Sequence, residues 1–237
     1  MKGDNTNTIL LVTLRKYFIT VNRHFSLMER RGVLIVLEGI DGSGKSYHID
    51  LISQDLHQKG CRVIKTKEPT KGHVGEFIHR YVRRQDRRLP PEAEAFIFAA
   101  DRFDHVKQII EPALKKGLII ISDRYFHSSL AYQGASGVNI DWIRKINSFA
   151  PTPDLAILLY IQPEFSLNRI NRKRTIFETP AFLRKVNEFY LKFVNQGELI
   201  KIDADRPKKV VTAEILSIVQ DLIERHSRKI NSDPSIP

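Results

Sequence analysis

Five short runs rich in β-branched residues recur along the chain: VLIVLE from Val33, CRVIKT from Cys61, LIIISD from Leu118, DLAILLY from Asp154 and ELIKID from Glu198. Runs this short and this continuously apolar predict strands covered on both faces. Between them apolar residues return at helical spacing, from Lys45 through Ile49, Ile52 and Leu56, over 91 to about 114, 140–149, 180–193 and 208–223. Pro91 and Pro180 fall at the starts of such segments, where a missing N–H costs little. Strands alternating with helices predict an α/β fold, a parallel five-stranded sheet flanked by helices. No repeat or Gly/Ser-rich linker divides residues 32–237, which read as one domain.

The segment GIDGSGKS at 39–46 matches G-x-x-x-x-G-K-[ST] and stands between the first strand and the first helix, the context that gives the motif physical meaning. Gly39, Ile40, Asp41, Gly42, Ser43 and Gly44 would turn backbone N–H groups inward around phosphate oxygens, at the positive end of a helix dipole. Lys45 would reach the β- and γ-phosphates of a nucleotide, and the Ser46 hydroxyl would face Mg²⁺. An ordinary Gly-rich turn is the bland alternative, and the flanking elements weigh against it. Asp123 closes LIIISD at the strand end where open α/β sheets place ligands, which makes it a second metal candidate.

The formal net charge of +11 suggests a partner carrying phosphates, and charge alone does not choose among nucleic acid, membrane surface and nucleotide. Of that charge, +4 lies in residues 1–31, read as an N-terminal extension that is either flexible or the product of a start assigned upstream of Met28. The chain lacks the aromatic and basic interleaving of a nucleic-acid module, and no apolar run approaches the roughly 18 residues of a membrane span, so neither partner is expected. Cys61, the single cysteine, excludes an internal disulfide and a cysteine-rich zinc site and fits a reducing, cytoplasmic compartment.

Taken together, LEGIDGSGKS, KEP, FAADRFDH, DRYFHSSLAYQG, the Pro-Asp at 153–154 and LNRINRKRTIFE resemble the thymidylate kinase family over roughly residues 33–205, in the family's order. The resemblance implies a P-loop kinase with a short lid, using ATP and Mg²⁺ to phosphorylate dTMP, and commonly a homodimer. Phe98 and Arg102 lie one helical turn apart, an aromatic platform beside a guanidinium. By resemblance Phe98 stacks on thymine and Arg102 donates to its edge. Likewise Arg124 holds the acceptor phosphate, Ser129 and Gln133 lie near the base, and Tyr132 crowds the sugar's 2′ position. Asp41 approaches the acceptor's 3′-hydroxyl and phosphate, and Glu178 approaches the same region, counted with Ser46 and Asp123 as a metal ligand.

Charge building on the transferred phosphoryl needs an arginine besides Mg²⁺ and Lys45. One branch of the family carries it within the loop, where this chain has Gly42. The basic run Arg169, Arg172, Lys173 and Arg174 is therefore expected to form the lid, with Arg172 or Arg174 at the reaction and Arg169 on ATP. Tyr47 and Thr70 depart from the family pattern, and a second base on the acceptor phosphate stays open between Lys71 and Arg80. Competing readings are an ATPase acting on nucleic acid, a kinase of dUMP or a nucleoside, and an inactive nucleotide-binding regulator.

Overall fold

A computed structural model describes residues 32–84, 88–172 and 174–231. The expected extension over residues 1–31 and the lid residue Lys173 lie outside the described residues. Five strands, β1 (Val33–Glu38), β2 (Val63–Lys67), β3 (Ile119–Asp123), β4 (Leu155–Tyr160) and β5 (Ile200–Asp203), form one parallel sheet in the order β2-β3-β1-β4-β5. β1 and β3 are buried along their whole length, as their unbroken apolar runs require, whereas the edge strand β5 buries only Ile202.

The chain leaves β1 for β2 and returns through β3, so the C-terminal ends of β1, β2 and β3 meet at a change in winding direction, where open α/β sheets bind ligands. The register aligns Leu37, Lys67 and Asp123 there. Helix α1 (Lys45–Gln58) follows the Gly-rich loop and buries Ile49, Ile52 and Leu56, the predicted stripe. α2 (His73–Arg83) follows β2, and α3 (Pro91–His105) continues through a π-helical turn at Val106–Ile110 into α4 (Glu111–Lys115). α5 (Phe126–Ala135) and α6 (Ile140–Ile146) come next, with Asn139 capping α6 by accepting from Trp142 N. α7 (Pro163–Asn168) precedes the lid, α8 (Pro180–Asn195) is capped by Thr179, and α9 (Lys208–Asn231) closes the layer beside α1.

The five expected strands and the expected helices are present, and α2, α5 and α7 are additional. α2 was legible: Val74, Phe77, Ile78, Tyr81 and Val82 follow helical spacing, and Gly75 within them obscures it. α5 has no such stripe. Its sequence FHSSLAYQGA mixes serines and a glycine into a largely buried helix, and its start is fixed by tertiary contact. The buried Glu38 carboxylate at the end of β1 accepts from Tyr125 N at 2.8 Å and Ser128 N at 3.2 Å, supplying negative charge at the N-terminus of α5.

Candidate active site

Gly42 and Gly44 hold left-handed backbone, with φ of +80° and +94°. The loop has no room for a side chain at Gly42, because a Cβ there would lie 2.3 Å from the carbonyl oxygen of Ser166 on α7. This explains why an arginine cannot stand in this loop: helix α7 closes the space. Lys45 is buried, and its Nζ donates to the carbonyl oxygens of Gly39 at 2.9 Å and Ile40 at 3.0 Å. Burial, then the charge of Arg124, lowers its pKa to about 8, with Asp123 and Asp41 opposing.

Ser46 Oγ donates to Asp123 Oδ2 at 2.8 Å, and Lys67 Nζ stands 3.6 Å from the same oxygen. Asp123 Oδ1 is buried and receives no hydrogen bond from the described residues. Burial acts to raise the Asp123 carboxyl, but Lys45, Lys67 and Arg124 outweigh it and keep it below the ordinary value. An ionised carboxylate with an oxygen lacking a donor, beside a hydroxyl, fits a divalent cation with oxygen ligands. Around these groups opens a cleft of about 1140 Å³, lined by the loop and also by Arg169, Ala204, Arg206 and Lys208.

A second cavity, of about 500 Å³, is walled by Val82, Phe98, Arg124, Ser128, Ser129, Tyr132, Gln133, Thr175 and Phe177, with Asp41 at its end. The rings of Phe98 and Phe177 are 6.4 Å apart at their centroids and tilted by 59°, and Tyr132 meets Phe177 edge-on at 5.7 Å. The side-chain oxygen of Gln133 is buried and has no donor among the described residues.

Arg102 is placed behind this cavity and not on its wall. Its Nε donates to Glu68 at 2.8 Å, Nη1 to Ser129 Oγ at 3.1 Å and Asn147 Oδ1 at 2.6 Å, and Nη2 to the carbonyl oxygen of Tyr125 at 3.1 Å, with Glu68 again 2.6 Å away. Arg102 thus reaches the cavity wall only through Ser129. Ser129, having accepted from Arg102, keeps its own hydrogen for the cavity.

Asp41 lines both cavities and is the point where they meet. Arg124 Nη2 donates to Asp41 Oδ1 at 2.6 Å and to Tyr132 OH at 3.3 Å, while Nη1 donates to Ser128 Oγ at 3.1 Å. Burial acts to raise the Asp41 carboxyl, but Arg124 and Lys45 prevail and hold it far below the usual carboxylate range. Arg124 itself has φ of +75°, a left-handed conformation that costs a residue with a Cβ about 1 to 3 kcal/mol. The Ser122 hydroxyl donates to its carbonyl oxygen at 2.7 Å and its N–H donates to Leu37, which hold the turn in place.

From the lid, Arg172 reaches the same point: Nη2 donates to Asp41 Oδ2 at 3.2 Å and to Glu178 Oε1 at 2.7 Å, and Nη1 donates to Glu178 Oε2 at 3.0 Å. Arg174 is exposed and makes no ion pair with a described residue. The structure therefore separates two residues that the sequence left equivalent. Glu178 is buried on Arg172 and Thr175 N, and it does not line the cleft of Ser46 and Asp123, the two residues it was grouped with as a metal ligand. Among the described residues no three His, Cys, Asp or Glu side chains gather into a metal cluster. Arg169 donates to Ala204 O and to Asp205, which sets it at the rim of the phosphate cleft.

Neither Lys71 nor Arg80 lines the aromatic cavity. Lys71 borders an adjoining groove, and Lys67 lines both that groove and the phosphate cleft, its Nζ 3.6 Å from Asp123 Oδ2. Lys67 was missed although the KEP segment had been singled out; the parallel register, which pairs Lys67 with Asp123, is what reveals it. Phe177, Thr175 and Val82 were also missed. Phe177 was visible only as an aromatic residue after a basic run, which says nothing about the direction of its ring.

Comparison with known proteins places the chain in one family. The family profile described as thymidylate kinase matches residues 37–215. A protein of Pyrococcus horikoshii named "Probable thymidylate kinase" is 43% identical over 198 residues, covering 80% of this chain and 97% of its own length. One of the same name from Thermococcus gammatolerans is 41% identical over 203 residues, covering 81% and 98%. A "Thymidylate kinase" of Brachyspira hyodysenteriae is 39% identical over 195 residues, covering 81% and 95%.

Proposed function

Because the chain belongs to the thymidylate kinase family, we propose that its two joined cavities bind ATP and dTMP and pass the γ-phosphoryl group between them, giving ADP and dTDP for dTTP synthesis. The observation that carries this reading is Asp41, flanked by Arg124 and Arg172, standing where the phosphate cleft meets the aromatic cavity. The ATP phosphates enter the loop and draw Lys45 Nζ from the carbonyl oxygens of Gly39 and Ile40. The dTMP phosphate lies against Arg124, with Lys67 as the second base. One of its oxygens attacks the γ-phosphorus, a P–O bond forms, and the bond from that phosphorus to the bridging oxygen of ADP breaks. Lys45 and Arg172 meet the charge that spreads over the transferred group. Ser46 and Asp123 would hold Mg²⁺, which when bound neutralises charge on the β- and γ-phosphates.

In the aromatic cavity thymine packs on the ring of Phe98, with the free oxygen of Gln133 for its N–H and the Ser129 hydroxyl for a carbonyl. An unmatched buried polar contact costs about 1 to 3 kcal/mol, so cytosine, whose N3 brings a lone pair and no hydrogen to the Gln133 oxygen, is rejected by about one to two powers of ten. Tyr132 disfavours a 2′-hydroxyl. Assayed with ATP and Mg²⁺, monophosphates should rank dTMP, dUMP, then dCMP and UMP in kcat/KM, with AMP and GMP inert. Equal use of dCMP and dTMP would show that the base has been assigned to the wrong cavity.

The same reading assigns the catalytic unit to 32–237 and its place to the cytoplasm; among the described residues no helix is long and apolar enough to cross a membrane. It assigns a second copy of the chain to the face formed by Phe77 on α2 and Phe96 and Phe103 on α3, which are 45%, 55% and 48% exposed. Large apolar side chains clustered in this way on neighbouring helices suit a two-fold, self-complementary interface.

A further inference from the structure

Arg88 lies between α2 and α3, outside every catalytic or binding role assigned above. Its guanidinium grips Glu94 of α3 in a two-pronged pair, Nε to Oε1 at 3.0 Å and Nη2 to Oε2 at 2.8 Å. Glu94 is fully buried, and its Oε1 also accepts from the Tyr81 hydroxyl of α2, which in turn accepts from Leu89 N at 2.9 Å. A planar fork held at two points has its orientation fixed. The face so fixed lies over the ring of Phe177, 5.0 Å from its centroid, with Phe182 at 6.0 Å.

Phe177 is the roof of the aromatic cavity. It stacks on Phe182 at 5.8 Å, meets Tyr132 edge-on, and stands opposite Phe98. On one side the lid is tied to α2 by the backbone bond from Ile176 N to Val82 O at 3.0 Å. On the other, the residue after Phe177 is Glu178, which holds Arg172 against Asp41. A ring seated under a guanidinium thus fixes the backbone that carries the lid's catalytic arginine.

We propose that Arg88 is a positioning residue, a latch that seats Phe177 on the acceptor nucleotide and through it sets Glu178 and Arg172 at the transfer site. The proposal rests on the reading of the aromatic cavity as the acceptor site. Arg88 touches no substrate and acts only through Phe177. A purely structural role, neutralising the buried Glu94, would be filled equally by lysine, or by removing both charges together. The latch would not, because an ammonium lacks the planar face and the fixed fork.

The test uses the full chain and the monophosphate that wild type phosphorylates best in the panel above. Arg88→Met/Glu94→Gln removes the latch without stranding a buried carboxylate, and Arg88→Lys keeps the charge alone. Both should retain the wild-type thermal transition to within a few degrees, yet lose about tenfold in kcat/KM for the acceptor, while KM for ATP stays within about twofold. Phe177→Leu should cause a comparable loss. On that background the Arg88→Met/Glu94→Gln pair should add less than about twofold, since the two changes break one interaction. Full acceptor kcat/KM in Arg88→Lys, or multiplicative losses in the combined variant, would overturn the latch while leaving the kinase reading intact. A wild type that phosphorylates no monophosphate would overturn both, and is told apart by needing no variant.

Discussion

Lys45 carries a titration that can be followed from outside. Its pKa of about 8, against the ordinary 10.5, means that between these values the unfolded chain binds a proton that the folded chain does not. Stability therefore rises with pH across that window, as the burden of a buried charge is relieved. Triphosphate brought to Nζ reverses the balance and favours the charged form. Binding of ATP at about pH 8.5 should thus draw protons from solution, measurable by calorimetry in buffers of different ionisation enthalpy. The uptake should vanish in Lys45→Ala; uptake that persists there belongs to another group. At the same scale, Arg172→Ala should lower kcat by about 10³ or more, with a smaller effect on dTMP binding, whereas Arg174→Ala should stay within a few-fold of wild type. A larger loss in Arg174→Ala would reverse the order in which the structure places them.

At the level of elements, what was legible followed from periodicity and motif spacing. The strands, the loop and α1 could be read because burial on both faces and phosphate wrapping each leave a local pattern. The lid was visible as a basic run, but which arginine turns inward depends on Glu178 and Asp41, the latter 131 residues away from Arg172, and no local pattern carries that. Arg102 illustrates the same limit. Its spacing from Phe98 places both on one helix, while its partners Glu68, Ser129 and Asn147 come from three other segments and turn it away from the cavity. The contact between loop and α7 gives an element-scale prediction. In Gly42→Ala, a Cβ meets the Ser166 carbonyl oxygen and the residue loses its left-handed freedom. Turnover should fall at least tenfold with a lowered thermal transition, roughly as expected for a strained backbone costing about 1 to 3 kcal/mol. Wild-type turnover in that variant would show that α7 yields, and that the loop's shape does not depend on it.

For the molecule as a whole, the assigned dimer face predicts that Phe77→Glu/Phe96→Glu gives a folded monomer, seen by light scattering as a halved mass. An unchanged mass in a soluble double variant would move the interface elsewhere. A last consequence comes from Asp41, which pairs with both Arg124 and Arg172. The two nucleotides compete with this one carboxylate for the same cations, so the first to arrive must displace it, and the second meets arginines already withdrawn from it. The sites are then linked, and linkage in binding is reciprocal: a non-hydrolysable ATP analogue should tighten dTMP by the same factor by which dTMP tightens the analogue. Asp41→Asn, which weakens the competitor, should bring that factor towards one while raising the affinity of each nucleotide alone.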